Sequence, residues 1–278
     1  IPDTLHLKPL SYLEQAKSML IEQLRQRFFD YADRFYVSND NENRPIQLKR
    51  DHTRRVCRNA RMLANKLNLS EKDTLLAEAM ALFHDVGRFK QYRVYQTFKD
   101  ADSENHAALS VAEINANDLL AGLSEADRGI VLTGIEFHNA LDIPEGLSER
   151  ERFFLKLLRD ADKLDIWKVF GEYYENEARS PSDSVSLGLP DSDQYSAEAL
   201  AAVRDRKIVR MQEMKTLNDF KLLQISWVYD LNFVPTVEAM LEKGYINRLY
   251  AFLPHTKEIR EAFEKVCQYA ESVAAAGY

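Results

Sequence analysis

Nine glycines and eight prolines in 278 residues are about half the share that soluble domains carry. This scarcity of turn-formers constrains the fold more than any other feature of the chain. A sandwich or barrel needs a turn signal roughly every 8–12 residues, and there are too few here to supply them. Long helices remain, and the chain is read as all-α. Hydrophobic residues at 45% and charged residues at 29% allow a sizeable core in an ordinary globule.

Helix starts are marked by capping signals. Ser70-Glu-Lys-Asp73, Ser124-Glu-Ala-Asp127, Ser148-Glu-Arg-Glu151 and, less regularly, Ser103-Glu-Asn-His106 each precede apolar residues at three-to-four spacing. The pattern predicts helices near 11–36, 46–68, 71–86, 104–121, 125–139, 149–178, 196–226, 233–252 and 256–274. Segment 39–45 reads as a loop, and the Ser-, Asp- and Pro-rich stretch 179–196 reads as a linker. The expected organisation is an N-terminal helix and loop (1–45), a histidine-bearing core (46–178), the linker, and a C-terminal helical part (197–278) packed on the core.

A net charge of −7 repels polyanions, and no basic groove is visible, so nucleic acid is not an expected partner. No run approaches the 18 or so apolar residues of a membrane span, and the first residues lack the basic start and apolar stretch of a signal peptide. Cys57 and Cys267 form no metal-binding or disulfide pattern and read as reduced core thiols. A cytoplasmic protein without a membrane partner is the expectation.

The histidines carry the chemistry. Four of the six, His52, His84, His106 and His138, fall between positions 52 and 138. Leu48, His52, Val56, Ala60, Leu63 and Leu67 share one helical face, which turns His52 inward. His84 closes its predicted helix, Asp85 follows, and Gly87 looks like the residue that stops it. Burying a neutral imidazole beside a carboxylate is costly unless a cation joins them. Imidazole and carboxylate ligands suit Mn, Fe, Ni, Co or Zn, and the lack of thiolates argues against a closed structural zinc site.

His52, then His84-Asp85 thirty-two residues on, then Asp162 within Arg-Asp-Ala-Asp-Lys-Leu-Asp resembles the HD superfamily of metal-dependent phosphohydrolases. The words His84-Asp-Val-Gly-Arg-Phe-Lys-Gln-Tyr, Tyr95-Gln-Thr-Phe, Ser103-Glu-Asn-His106, Phe137-His138-Asn139 and Ile225-Ser-Trp-Val-Tyr-Asp-Leu-Asn-Phe233 are similar to a bacterial subgroup reading "HDIGRF-x-Q". The resemblance implies an all-α core and a divalent transition metal held by His52, His84, Asp85 and Asp162. Asp160 and Asp162 lie roughly 200° apart on a helix, so one ion takes one of them. Apolar neighbours flank both equally. The family word Ala-Asp-x-Leu selects Asp162, leaving Asp160 exposed or in a supporting position and Asp165 orienting a ligand.

His106 and His138 fit the order of the family's two-metal members, in which the Asp of the pair bridges the ions. Alternatively, His106 caps a helix and His138 contacts phosphate. His138-Asn139 and the lack of a Gly-Tyr-Pro word set the chain apart from the cyclic-dinucleotide group. Hydrolysis of a nucleotide or other small phosphorylated metabolite is the implied activity, with Asp85, Arg88 and Lys163 in the catalytic machinery. Arg88, Lys163, Gln91 and Asn139 are the expected substrate contacts, with Tyr95 a further hydrogen-bonding group and Arg93 and Lys99 more distant cations. A di-iron oxygenase with the same ligand order, or a regulatory module without turnover, are the alternatives.

Overall fold

The computed structural model describes residues 12–175 and 188–277. Among them there is no strand; α-helices joined by short loops and three 3₁₀ turns make up the fold. The N-terminal half runs α1 (Tyr12–Asp33), α2 (Asp40–Lys66), α3 (Glu71–Phe83), α4 (Gly87–Tyr95), α5 (His106–Ala116), α6 (Glu125–Phe137) and α7 (Glu149–Glu175). The C-terminal half runs α8 (Ala197–Arg204), α9 (Leu217–Ser226), α10 (Val234–Glu242), α11 (Tyr245–Ala251) and α12 (Lys257–Ala276). The all-α reading holds. Residues 1–11, the end of the helix expected to reach 178, and positions 179–187 of the expected linker lie outside the described residues.

Helices α2, α3, α6 and α7 pack on one another, with α4 and α5 paired beside them. α10 and α11 lie against α7, and α9 bridges α8 and α11. One continuous core joins both halves, from Leu24 and Phe28 through Trp167 to Val266 and Ala270. α9 is buried along its entire length, and its backbone carbonyl at Gln224 accepts the indole N–H of Trp167 at 2.9 Å.

Ser70 and Ser124 cap α3 and α6 as expected, accepting from Asp73 N at 3.1 Å and Asp127 N at 3.2 Å. Ser148 and Glu151 form the reciprocal pair: Glu151 N donates to Ser148 Oγ, and Ser148 N to Glu151 Oε2. At α5 the cap is Asn105, whose Oδ1 accepts from Ala107 N and Ala108 N, in place of Ser103.

Four other expectations are corrected. Segment 39–45 is the first turns of α2: Asn39 caps it, and Asp40 and Glu42 sit favourably at the positive end of its dipole. The expected boundary at 45/46 therefore falls inside a helix. Gly87 does not stop α3, which ends at Phe83; it begins α4, and an added Cβ would lie 2.5 Å from Ser110 N and 2.8 Å from Leu109 C. Its glycine is required by the approach of α4 to α5. The helix expected over 196–226 is interrupted between α8 and α9, where Arg206 adopts φ 58° and the Thr216/Asp219 capping box starts α9. The helix expected over 233–252 divides at Gly244, with φ 63°.

Candidate metal centre

His84 and His138 occupy equivalent places at the C-termini of α3 and α6. A helix end leaves carbonyls without intrahelical donors, and each histidine uses Nδ1–H to satisfy one: His84 on Ala81 O at 2.8 Å, His138 on Ile135 O at 2.7 Å. This fixes the tautomer and sends both Nε2 atoms outward from the helix ends. His52 comes from the middle of α2 and His106 from the first turn of α5. Their Nδ1 atoms face carboxylates instead, Asp165 Oδ2 at 2.7 Å and Asp100 Oδ2 at 2.6 Å.

The Nε2 atoms of His84, His106 and His138 therefore converge with that of His52, which faces the Asp162 carboxylate. His52 and His84 Nε2 stand 3.2 Å apart, and His106 and His138 Nε2 stand 3.1 Å apart. Two lone pairs facing at such distances repel unless a cation lies between them. Asp85 sits between the two pairs. Its Oδ2 is 3.6 and 3.8 Å from the Nε2 atoms of His52 and His84, and its Oδ1 is 3.5 and 3.9 Å from those of His106 and His138. Asp162 Oδ1 is buried with no hydrogen-bond partner, 3.2 Å from His52 Nε2 and 3.8 Å from His84 Nε2. Three sets of potential ligand atoms lie within 4.8 Å of one another: His52/His84/Asp85, His84/His138/Asp162 and Asp85/His106/His138. Separations of 3–4 Å suit atoms that share an ion at about 2.0–2.3 Å, so these residues fit a divalent metal.

The electrostatics keep three of the four imidazoles neutral and leave His52 charged until an ion displaces its proton. Burial, followed by the charge on Arg88, pushes His106 down to about 4; burial and the neighbouring His84 do the same to His138. Burial also lowers His84. Burial opposes a charge on His52, but the Asp162 and Asp165 carboxylates outweigh it and push its pKa up to about 9. Burial alone would raise Asp85, yet Lys49, His84 and Arg88 hold it well below the usual carboxylate range. Neutral imidazoles and ionised carboxylates are the states that ligate metals.

Asp100, Lys49 and Arg55, which donates to Asp165, went unnoticed in the sequence. Asp100 braces His106 as Asp165 braces His52, giving the site two carboxylate–histidine pairs. Lys49, one turn before His52, donates to Asp85 Oδ2 at 2.8 Å and lies over the Phe98 ring. The i, i+3 spacing to His52 is the one signal that could have found Lys49. Asp100 sits in a short 3₁₀ turn with no periodicity to read.

Several expected residues take other places. Asp160 is not exposed: it is fully buried, accepting from Asn232 N and Nδ2, Phe233 N and Thr236 Oγ1, and so fastens α7 to the start of α10. Gln91 is fully buried rather than open to substrate. Its Nε2 donates to Asp100 Oδ1, Ser103 Oγ and Glu104 O, and its Oε1 accepts from Arg88. Arg88 lies in the first turn of α4, where NH1 also reaches Phe98 O and Asp100 Oδ1, and Nε faces Asp85 Oδ1 at 3.5 Å. Lys163 Nζ pairs with Asp230 Oδ2 at 2.6 Å. Asn139 lies at the rim, with Nδ2 3.4 Å from Asp100 Oδ2. Tyr95 donates to Glu104 away from the histidines, Arg93 is held by Phe35 O and Asn43 Oδ1, and Lys99 pairs with Asp102.

The histidines open into two adjoining clefts. One, of about 240 Å³, runs past Lys49, Arg55, Phe98 and Trp227. The other, of about 490 Å³, runs from Arg88 and Asn139 past Lys163 to Arg210. Ile166, Phe220 and Trp227 line both, so the C-terminal helices supply part of the wall. No helix among the described residues is long and apolar enough to cross a membrane. The family model for the HD domain matches residues 50–167. No curated protein and no solved structure matches the chain.

Proposed function

Because residues 50–167 of this chain form an HD domain, we propose that it is a metal-dependent phosphohydrolase acting on a nucleotide or other small phosphorylated metabolite. The observation that carries this reading is Asp85, whose two oxygens face two different histidine pairs. A carboxylate so placed would serve an ion at each histidine pair, which favours two divalent transition ions over one. His52, His84 and Asp162 would serve the first ion, and His106 and His138 the second. Such ions, when bound, supply a water of lowered pKa and neutralise charge on a phosphoryl oxygen.

The rest of the work falls to the chain's own groups. Asp165 and Asp100 hold the His52 and His106 rings in the ligating tautomer. Arg55 keeps Asp165 ionised through contacts of 2.6 and 3.1 Å. Lys49 and Arg88 flank Asp85 on opposite oxygens and face the clefts, where fixed cations stabilise the charge of a transferring phosphoryl group. Asn139 stands at the mouth as a hydrogen-bond donor. Trp227, Phe220 and Ile166 exclude water from one side, which strengthens every charge interaction inside.

Elemental analysis of the purified chain, followed by phosphate release from a panel of nucleotides and phosphate esters with the metal found, tests the reading. Phosphate release with Mn, Co or Ni bound is expected. Two bound irons with dioxygen consumption and no phosphate release would replace it with the oxygenase.

A further inference from the structure

Three helices run along the smaller cleft, and their register against one another shows what its far end presents. α2 lies antiparallel to α7: Asn59 Nδ2 donates to Ala161 O at 3.0 Å, while Arg55 Nε and His52 Nδ1 reach Asp165 at 2.6 and 2.7 Å. Leu48, one turn before His52, therefore lies toward the C-terminal end of α7. α9 is antiparallel to α7 as well. Its Gln224 O accepts from Trp167 Nε1 at 2.9 Å, and its Phe220 ring meets that of Phe170 edge-on, with centroids 5.0 Å apart.

On α7 the cleft is lined, after Asp162, by Ile166, Val169 and Phe170, which share one helical face with it. At 1.5 Å per residue they lie roughly 6, 10.5 and 12 Å along the axis from Asp162. Leu48 and Phe220 line the same stretch from α2 and α9. None of these five side chains carries a hydrogen-bonding group, and Leu48 is 37% exposed. The cations on the cleft wall are engaged closer to the histidines: Lys49 on Asp85, Arg55 on Asp165 and Arg88 on Asp100. A sugar or base entering the far end would give up hydrogen bonds to water, and the described side chains there offer none in exchange. An alkyl or aryl group would lose nothing and gain from burial.

We propose that the smaller cleft holds the leaving group and that this group is apolar, so that the substrate is a phosphate ester of an alkyl or aryl alcohol, with Leu48, Val169 and Phe170 setting the length accepted. Water adds to phosphorus, the ester P–O bond breaks, and the alcohol leaves with a proton from that water. The assignment rests on the phosphohydrolase reading for the identity of the reacting group, but the preference of the cleft is measurable without turnover.

The probes are non-hydrolysable. Calorimetric affinities of the full chain, as purified with its metal, would be compared for alkyl phosphonates of increasing length and for ω-hydroxyalkyl phosphonates of matching length. Affinity should rise about three- to fourfold per methylene until the chain reaches Phe170, and the terminal hydroxyl should cancel most of the gain at that length. Leu48→Asn and Val169→Asn should each cut the gain severalfold while the affinity for methylphosphonate, which reports an intact metal site, holds within about twofold. Leu48→Met should keep the gain, which separates loss of apolar surface from a general disturbance of α2. An affinity that does not rise with length, a gain untouched by both asparagine substitutions, or a terminal hydroxyl without effect overturns the assignment. Failure to release phosphate from any ester would instead overturn the hydrolase reading, and the phosphonate titrations would still decide the preference of the cleft.

Discussion

Asp160 and Asp162 show how far about half a turn of phase separates two carboxylates on the same helix. Asp162 Oδ1 is buried, unpartnered and beside two histidine Nε2 atoms, whereas Asp160 has four protein donors. Asp162→Asn should therefore strip the metal without unfolding the chain. Asp160→Asn should keep the metal and lower stability by roughly 2–4 kcal/mol, because charge-assisted bonds to a buried group are lost. Metal content by elemental analysis and a denaturant titration of each variant would check both, and the opposite pattern would reverse the assignment. Asp165→Ala should weaken metal affinity about 10–100-fold, read by chelator competition, since it removes the acceptor that orients His52. Arg88→Lys should lower kcat on a phosphate ester by about tenfold with metal content unchanged, because an ammonium cannot keep the braced planar fork. The neighbouring word in the sequence favoured Asp162, and Asp165 was legible as its companion. Asp100 was not, because its partner His106 lies across an irregular turn, where spacing carries no geometric meaning.

At the scale of helices, what the sequence made legible depended on whether a boundary was set locally. Ser70, Ser124 and Ser148 act through bonds three residues long, so the starts of α3, α6 and α7 could be read directly. The start of α4 could not. Gly87 looked like a stop because glycine often ends helices, but its reason is tertiary: Ser110 Oγ accepts its N–H at 2.9 Å, and the α5 backbone lies where a Cβ would go. The contact also sets the spacing between the elements that carry Asp85 and His106. Gly87→Ala should cost roughly 1–3 kcal/mol through overpacking, and it should weaken retention of the ion at His106 and His138 more than at His52 and His84. Differential scanning calorimetry and metal stoichiometry would report the two effects, and an unchanged Tm would contradict the assigned role. α9 is a similar case. Its capping box at Thr216 was present in the sequence, but a run of helix-compatible residues from 196 onward concealed the break before it.

Across the whole molecule, the histidine cluster links stability to pH in two opposing directions. His106 and His138 have folded-state pKa values near 4, below the value of about 6.5 expected when unfolded. Between those limits the unfolded chain binds more protons, so their contribution is complete above about 6.5 and is lost as pH falls toward 4. His52 has the reverse sign: near 9 when folded, it binds the proton more tightly in the native state. Its contribution is complete below about 6.5 and declines as pH rises to 9. With the metal removed, the chain should therefore be most stable near pH 6.5 and lose stability on both sides. A bound ion changes the balance, because ligation requires His52 deprotonated. The alkaline decline should then flatten, while the acid side steepens as protons compete for every ligand. Thermal melts from pH 5 to 9, with and without a chelator, separate these curves. An alkaline decline that persists unchanged with metal present would mean that His52 keeps its proton and is not a ligand.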